Sequence, residues 1–156
     1  MSNKLLVVVP IRPRPKQRPE FNSYTKRAYT PKATLEYERV IGEYAKATMK
    51  SKAFDRIPLD VPLALNIVMV FAPTKSWTKK KKEQALNQEI YPMQSNQADV
   101  DNGQKAVLDA LNKIVYEDDR VVVDSRVRKI YGEKDQVIIM IRKVEVGEKI
   151  GNDINI

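Results

Sequence analysis

The chain has 156 residues, with 28 lysines and arginines against 20 aspartates and glutamates, and its formal net charge is +8. It contains no cysteine and no histidine. This composition excludes a disulfide framework, a thiolate zinc site, a serine–histidine triad and any histidine-ligated metal. Any catalysis has to use carboxylates, lysine, hydroxyl groups and ions held by oxygen ligands.

The length suits one domain, and a composition of 42% hydrophobic and 31% charged residues indicates a folded, soluble protein. The apolar run at residues 5–9 is too short for a signal peptide, and no stretch approaches the length of a membrane span. We expect a cytoplasmic protein without a membrane partner, with one domain over residues 1–147 and a frayed tail over 148–156. A pI near 9.6 favours a polyanionic partner.

In the first part of the chain, residues 5–9 predict a buried strand. The prolines that follow, at positions 10, 13, 15 and 19, are expected to hold the backbone extended because proline fixes φ and removes a hydrogen-bond donor. Helical spacing of apolar residues then predicts a helix over residues 31–50. Thr30 is the expected cap of this helix, with Pro31 in its first turn.

In the second part, residues 63–71 predict a strand, and Thr78 is expected to cap a lysine-rich helix that reaches residue 87. Asn102 is the expected cap of a helix that ends near residue 113. Two further strands are predicted over residues 121–128 and 137–146. Strands and helices in this irregular order predict an α+β fold, a single domain whose mixed sheet has helices packed on it.

Two acidic clusters lie on either side of the helix that is predicted after Asn102. In extended backbone Asp99 and Asp101 would point to one face, roughly 7 Å apart. A returning strand would bring Asp118 or Asp119 back beside them. Oxygen ligands without nitrogen or sulfur favour Mg²⁺, with Mn²⁺ as the alternative. Lys105, one helical turn after Asp101, could stabilise the charge of a phosphate under attack.

The same residues allow a plainer interpretation. The segment Asp-Val-Asp-Asn at 99–102 is also typical of a solvated turn with a helix cap. Lys105 stands at helical spacing from both Asp101 and Asp109, where an ion pair would stabilise the helix by a few tenths of a kcal/mol. The residues by themselves leave the two interpretations open.

Basic residues are concentrated before and within this framework. Residues 10–32 contain seven basic residues and one acid, and residues 75–82 contain five lysines and no acid. Lysines at the start of a helix oppose the helix dipole, which favours a phosphate partner, although both groups could serve solubility alone. Trp77 could stack on an unpaired base, but packing against the sheet is the favoured interpretation. The cations predicted to contact phosphates are Arg12, Arg14, Lys16, Arg18, Lys75, Lys79, Lys80 and Lys81.

Five segments, in this order, resemble the RusA-type Holliday junction resolvases. They cover residues 9–19 (VPIRPRPKQRP), 29–31 (YTP), 73–81 (PTKSWTKKK), 99–112 (DVDNGQKAVLDALN) and 116–119 (YEDD). No segment is decisive alone, and together they are specific. Members of the family usually have a bulky aliphatic residue at the position after Asn102, whereas this chain has Gly103. Because glycine in a helix costs up to ~1 kcal/mol, we expect Lys105 to be placed less firmly.

The resemblance implies a small homodimeric, Mg²⁺-dependent endonuclease of bacteria and their phages that nicks four-way or branched DNA symmetrically. Carried over by position, the catalytic residues are Asp99, Asp101, Asp119 and Lys105, with Asp118 as an adjacent candidate metal ligand. The basic residues named above would then bind DNA. Two alternatives stay open: a branched-DNA-binding protein without chemistry, and an Asp-x-Asp phosphohydrolase, which lacks support because no glycine-rich phosphate loop is present.

Overall fold

A four-stranded mixed sheet organises the protein, and the computed structural model describes residues 3–151. The strands are β1 (Lys4–Val9), β2 (Glu20–Asn22), β3 (Arg27–Tyr29), β4 (Leu63–Phe71), β5 (Val122–Tyr131) and β6 (Gln136–Lys143). In the main sheet the order is β1-β6-β4-β5; β4 and β5 are parallel, and the other neighbours are antiparallel. β2 and β3 pair with each other in a separate hairpin. The predicted α+β fold with a mixed sheet is confirmed.

Three α-helices accompany the sheet in the described part of the chain: α1 (Lys32–Lys52), α2 (Lys79–Leu86) and α3 (Val100–Leu111). A single 3₁₀ turn over Asp119–Val121 leads into β5. Helices α1 and α3 pack against each other, α1 lies on β1, and α3 contacts β5. The core therefore lies between these two helices and one face of the sheet, and it is continuous from β1 to β5.

The start of α1 differs from the prediction. The helix itself is confirmed, but Pro31 rather than Thr30 occupies the cap position, and no side chain caps the helix. Pro31 has ψ of 142°, which is extended, so it precedes the first turn instead of lying in it. Its carbonyl accepts hydrogen bonds from the backbone N–H groups of Thr34 and Leu35.

The start of α3 also differs, and the difference matters for the acidic residues. The helix begins at Val100, two residues before the predicted cap Asn102, and Asp99 is its N-cap residue. The prediction that Asp99 and Asp101 share one face of an extended segment was therefore wrong, because Asp101 lies in the first helical turn. Aspartates at the cap and in the first turn both favour this start, since negative charge there complements the helix dipole.

Gly103 of α3 lies directly against Met69 of β4. It is buried, and a Cβ atom added to it would lie 2.4 Å from Sδ of Met69 in β4. Met69 thus fills the space that a side chain at position 103 would take. The glycine permits a close approach of helix and strand, a packing role that helix propensity alone did not indicate.

The opposite face of the sheet exposes apolar side chains. Leu6 and Val8 of β1 are 56% and 43% exposed, and by register they stand beside Met140 and Ile138 of β6. We call these four residues the open face. An antiparallel sheet that faces water normally carries polar residues there, so these strands have the pattern of strands covered on both sides.

At the end of the chain, β6 stops at Lys143, three residues before the predicted end. Most of the tail predicted to be frayed lies beyond residue 151, outside the described residues. Its first residue, Glu148, accepts a hydrogen bond of 2.7 Å from Arg142. Between residues 3 and 151 no helix has the length and apolar character needed to cross a membrane.

Candidate active site

Three charged side chains stand at the start of α3. Asp99 is the N-cap residue, Asp101 lies in the first turn, and Lys105 follows one turn later. All three are exposed, and none forms a side-chain hydrogen bond or an ion pair with another residue of the described chain. We call these three residues the α3 charge set. Their charges are available to a ligand.

The plainer interpretation of Lys105 is not what the structure shows. Among residues 3–151, no ion pair joins Lys105 to Asp101 or to Asp109. Asp109 is instead 3.3 Å from Nζ of Lys16.

The second acidic cluster is a turn that begins the 3₁₀ helix. Oδ1 of Asp118 accepts a hydrogen bond of 2.9 Å from the backbone N–H of Arg120, which lowers the pKa of the Asp118 carboxyl. Asp119 is exposed and is the first residue of the 3₁₀ helix. One oxygen of Asp118 therefore serves the turn, whereas Asp119 is the more available of the two carboxylates.

Tyr116 fixes where this turn lies along α3. Its buried hydroxyl donates to the carbonyl of Leu108 at 2.6 Å. Burial raises the pKa of the Tyr116 hydroxyl, and the negative charge of nearby Asp119 raises it further. Leu108 lies seven residues after Asp101, about 10 Å along the helix axis. Tyr116 is thus anchored in the last third of α3, whereas Asp101 lies at its start.

The acidic side chains can also be compared with the geometry of a metal site. Among residues 3–151, no group of three or more of them has the arrangement expected of side chains that already hold an ion. Mg²⁺ in proteins is often held by one or two carboxylates, with waters and substrate phosphates completing its shell. The unpaired Asp99 and Asp101 are carboxylates of the kind that can hold an ion in that way, and a third carboxylate from the Asp118–Asp119 turn stays a prediction.

Lys16, which was predicted to contact a DNA phosphate, instead pairs with carboxylates of the protein. It forms ion pairs with Glu38 of α1 and Asp109 of α3, and its side chain is only 16% exposed. Its backbone N–H also donates to the carbonyl of Asn102 at 2.9 Å. The sequence predicted a phosphate contact, but the structure places Lys16 in an internal ion-pair network that ties the proline-rich segment to both helices.

The other cations of the proline-rich segment remain on the surface. Nη1 of Arg12 is 3.3 Å from Oδ1 of Asp135, and the guanidinium carbon lies 5.2 Å from the centre of the Phe71 ring. Arg12 is therefore already paired within the protein. Arg14 and Arg18 are exposed. The segment therefore keeps exposed cations next to the start of α3, even though Lys16 itself is paired with Glu38 and Asp109.

The lysine-rich helix α2 is confirmed together with its cap, because Oγ1 of Thr78 accepts a hydrogen bond from the backbone N–H of Lys81. Nζ of Lys81 lies 4.1 Å from the centre of the Trp77 ring. Trp77 also packs edge-on against Tyr131 at the end of β5, with 5.5 Å between ring centres. The favoured interpretation of Trp77 as a packing residue is confirmed, while Lys75, Lys79 and Lys80 are exposed.

Gln97 supports the site, although its position in the sequence did not predict this. It is 6% exposed, its Oε1 accepts from the backbone N–H of Gln94 at 2.8 Å, and its Nε2 donates to the hydroxyl of Tyr131 at 3.3 Å. These bonds fix the loop that presents Asp99. A glutamine in a polar loop gives no sequence signal for this role, since its partner is 34 residues away.

Unpaired carboxylates and an unpaired lysine at one helix start, with exposed cations around them, are typical of proteins that act on nucleic acid phosphates. Comparison with known families agrees. Residues 10–142 match the family described as "Endodeoxyribonuclease RusA", and the chain belongs to this family. Members of the family depend in general on a divalent metal ion.

A curated relative matches part of the chain. The "Uncharacterized protein YqaN" of Bacillus subtilis (strain 168) is 45% identical over 80 residues, which cover 49% of this chain and 55% of the relative. The chain thus spans about half the length of the curated relative that it matches. The match shows similarity of sequence, and the name of the relative states no activity.

Proposed function

We propose that the protein is a Mg²⁺-dependent, structure-selective endodeoxyribonuclease that resolves four-way DNA junctions by paired, symmetric nicks during recombination or repair. The observation that carries this proposal is the α3 charge set, which is exposed and unpaired in a strongly basic member of an endodeoxyribonuclease family. We further propose that it acts in the cytoplasm of a bacterium, where it would meet branched DNA, and that a phage is a possible source.

The proposed chemistry assigns one task to each residue. Asp99 and Asp101 would hold the divalent ion, which when bound polarises a phosphoryl oxygen and lowers the pKa of its water. Lys105 would stabilise the extra negative charge of the phosphate in the transition state. Asp119 is the preferred third carboxylate, because Asp118 already accepts a hydrogen bond within its own turn.

DNA binding would use the exposed cations. Arg14 and Arg18 lie on the segment whose backbone is bonded to α3, and further exposed lysines stand at and before the start of α2. Each cation that neutralises a phosphate releases a counterion, so the affinity is expected to fall steeply with salt. Lys16 is left out of this set because Glu38 and Asp109 occupy it.

A homodimer is part of the proposal, and the open face supports it. Its four residues form an apolar patch on two neighbouring strands, and a second copy of the chain that covered this patch would remove it from water. A twofold dimer also suits a four-way junction, because paired nicks need two equivalent sites.

The direct test is incubation of the protein with a synthetic four-way junction and Mg²⁺. We expect symmetric nicks in two opposing strands, with none in the presence of EDTA. A linear duplex that carries the same sequence as one arm pair is the matched control, and it should stay intact. Absent cleavage, or cleavage that continues without a divalent ion, would contradict the proposal.

A second candidate is a branched-DNA-binding protein without chemistry. The observation that favours it is that no group of three acidic side chains among the described residues has the arrangement of a formed metal site. It predicts junction binding without cleavage under any divalent ion. It also predicts equal or tighter binding when Asp99 and Asp101 are neutralised, because removing carboxylates near phosphates reduces repulsion.

A further inference from the structure

The hairpin formed by β2 and β3 stands apart from the main sheet. Its two strands pair only with each other, with Phe21 opposite Ala28 and Asn22 opposite Arg27. No helix signal or apolar alternation predicted it. The core of the protein does not depend on its side chains, because residues 20–29 contribute nothing to the buried hydrophobic cluster.

The tip of the hairpin is nevertheless closed by a set of hydrogen bonds. Oδ1 of Asn22 accepts hydrogen bonds from the backbone N–H groups of Tyr24 and Thr25, at 2.9 and 3.1 Å. The carbonyl of Asn22 accepts from the N–H of Lys26 at 2.9 Å, and Lys26 takes a left-handed φ of 59° to close the turn. The turn therefore holds Tyr24 in a defined position and does not bury it.

Aromatic side chains on this hairpin face solvent. Tyr24 is 97% exposed, Phe21 65% and Tyr29 47%. The hydroxyl of Tyr29 donates to Glu20 across the strands, whereas the ring of Tyr24 contacts no other described ring or cation. Exposed aromatic rings on a hydrogen-bonded hairpin indicate a binding surface, since they contribute nothing to the core.

The charges around these rings indicate the kind of partner. Arg18, Lys26 and Arg27 are all exposed, and Glu20 is the one acid in residues 18–29. A DNA duplex bound through its phosphates would contact the cations but not the aromatic rings. An apolar protein partner would contact the rings but not the cations. Destacked nucleic acid bases next to a phosphate backbone need both.

The root of the hairpin lies near the α3 charge set. The backbone N–H of Lys16 is bonded to the carbonyl of Asn102 in the first turns of α3, and the hydroxyl of Thr34 holds Gln17 at 2.8 Å. From Lys16 to Glu20, the first residue of β2, is four residues, which can span at most about 14 Å. DNA that lies across the start of α3 is thus within reach of the hairpin.

We propose that this hairpin recognises the branch point, with Tyr24 stacking on a base that is destacked there. The inference rests on the proposed function, because it names the structural feature of the substrate that would distinguish a junction from a duplex. Stacking of one base on an aromatic ring is sequence-tolerant, so the contact would select structure instead of sequence. Phe21 and the flanking cations would support the same strand.

The test compares Tyr24→Ala with Tyr24→Trp and with a matched control, Tyr44→Ala, which removes another exposed tyrosine from the outer side of α1. The probes are a four-way junction with 2-aminopurine at the branch point and a linear duplex with 2-aminopurine at its centre. Affinity and 2-aminopurine fluorescence are measured with Ca²⁺ in place of Mg²⁺, to limit cleavage.

We expect Tyr24→Ala to weaken junction binding by about tenfold and to leave duplex binding within about twofold. Tyr24→Trp should restore junction binding, and only variants with an aromatic ring at position 24 should change the 2-aminopurine signal. Equal effects of Tyr24→Ala and Tyr44→Ala, or an equal loss for junction and duplex, would overturn the inference.

Failure of the inference is distinguishable from failure of the proposed function. If the wild-type protein cuts the junction and Tyr24→Ala keeps its preference for junctions over duplex, the hairpin inference alone is wrong. If the wild-type protein neither binds nor cuts the junction, both are wrong. Because Tyr24 is almost fully exposed, its replacement removes no packing, and a matching thermal unfolding midpoint would verify the fold.

Discussion

The proline-rich segment and the start of α3 are both rich in charge, but two cations of the segment are paired with carboxylates, whereas the three charges at the start of α3 are not. In the segment, Lys16 is enclosed by two carboxylates and Arg12 is paired with Asp135. At the start of α3, Asp99, Asp101 and Lys105 are exposed and have no side-chain partner in the described chain. A count of charges along the sequence would treat these regions alike.

This difference separates the charges that stabilise the fold from the charges that are available to a ligand. A largely buried ammonium group has to be paired, because an uncompensated buried charge is costly. Exposed charges that remain unpaired contribute little to the fold, so they can be neutralised with little loss of stability. Substitutions of Lys16 and of the α3 charge set should therefore separate stability from activity.

The largest effect is expected for Asp101→Asn. If the start of α3 holds the ion, single-turnover cleavage of a four-way junction should fall by about 100-fold or more. The free energy of unfolding should change by less than about 1 kcal/mol, because only a charge near the helix dipole is lost. Asp109→Asn on the same helix is the control: it should lower stability and keep the cleavage rate. The reverse pattern would contradict the comparison.

A smaller loss of activity is expected for Lys105→Met, which keeps the aliphatic length and removes the charge. Its cleavage rate at saturating DNA should fall by about 10- to 100-fold, since the lysine is proposed to act in the transition state. Junction affinity should change much less than the rate. Equal losses in rate and affinity would show that Lys105 only binds DNA.

Lys16→Met should affect stability and spare activity. Removing one partner of this shielded network leaves Glu38 and Asp109 without their cation, and the expected loss is about 1–3 kcal/mol in chemical denaturation. Cleavage per folded molecule should be unchanged. A stable Lys16→Met variant with weak DNA binding would instead return Lys16 to the DNA-binding set.

The pH dependence of that loss is a further check. Burial lowers the pKa of Lys16, but its hydrogen bonds and charge interactions with Glu38 and Asp109 outweigh burial, so the pKa is raised above 10.5. A raised pKa in the folded state means that this stabilisation is fully present below the unfolded-state pKa and is lost only as the pH rises through the folded-state value. Between pH 7 and 9 the difference between wild type and Lys16→Met should thus be constant.

The smallest effect is expected for Arg18→Met. Because Arg18 is exposed, the unfolding midpoint should not move. If it contacts one phosphate, the slope of log affinity against log salt should become less steep by about one, for junction and duplex alike. An unchanged slope, measured by fluorescence anisotropy between 50 and 200 mM salt, would remove Arg18 from the DNA-binding set.

Local patterns predicted the elements whose signals are local. The strand β4 and the helix α2 with its Thr78 cap followed from apolar runs and a capping residue. The start of α3 was misplaced because Asp99 and Asn102 are both good caps, and the choice between them depends on where the helix meets β4. The hairpin was missed because its turn is fixed by the Asn22 side chain and its strands face solvent on both sides.

The candidate site was predictable in its residue types and not in its geometry. The sequence selected Asp99, Asp101 and Lys105, and the structure shows them exposed and unpaired. It could not place Asp119, because that position depends on the contact of Tyr116 with α3. Nor could it remove Lys16 from the DNA-binding set, since the partners of Lys16 are 22 and 93 residues away in the chain.

Divalent-ion binding at the start of α3 is the central claim, and Mn²⁺ titration followed by electron paramagnetic resonance measures it without relying on cleavage. The experiment compares the wild-type protein with Asp99→Asn/Asp101→Asn, each bound to a junction with phosphorothioates at the nicking positions, which slow cleavage and keep the negative charge that helps to hold the ion. The account predicts protein-dependent Mn²⁺ binding by the wild type that is lost in the double variant. Equal binding by the two proteins would contradict it.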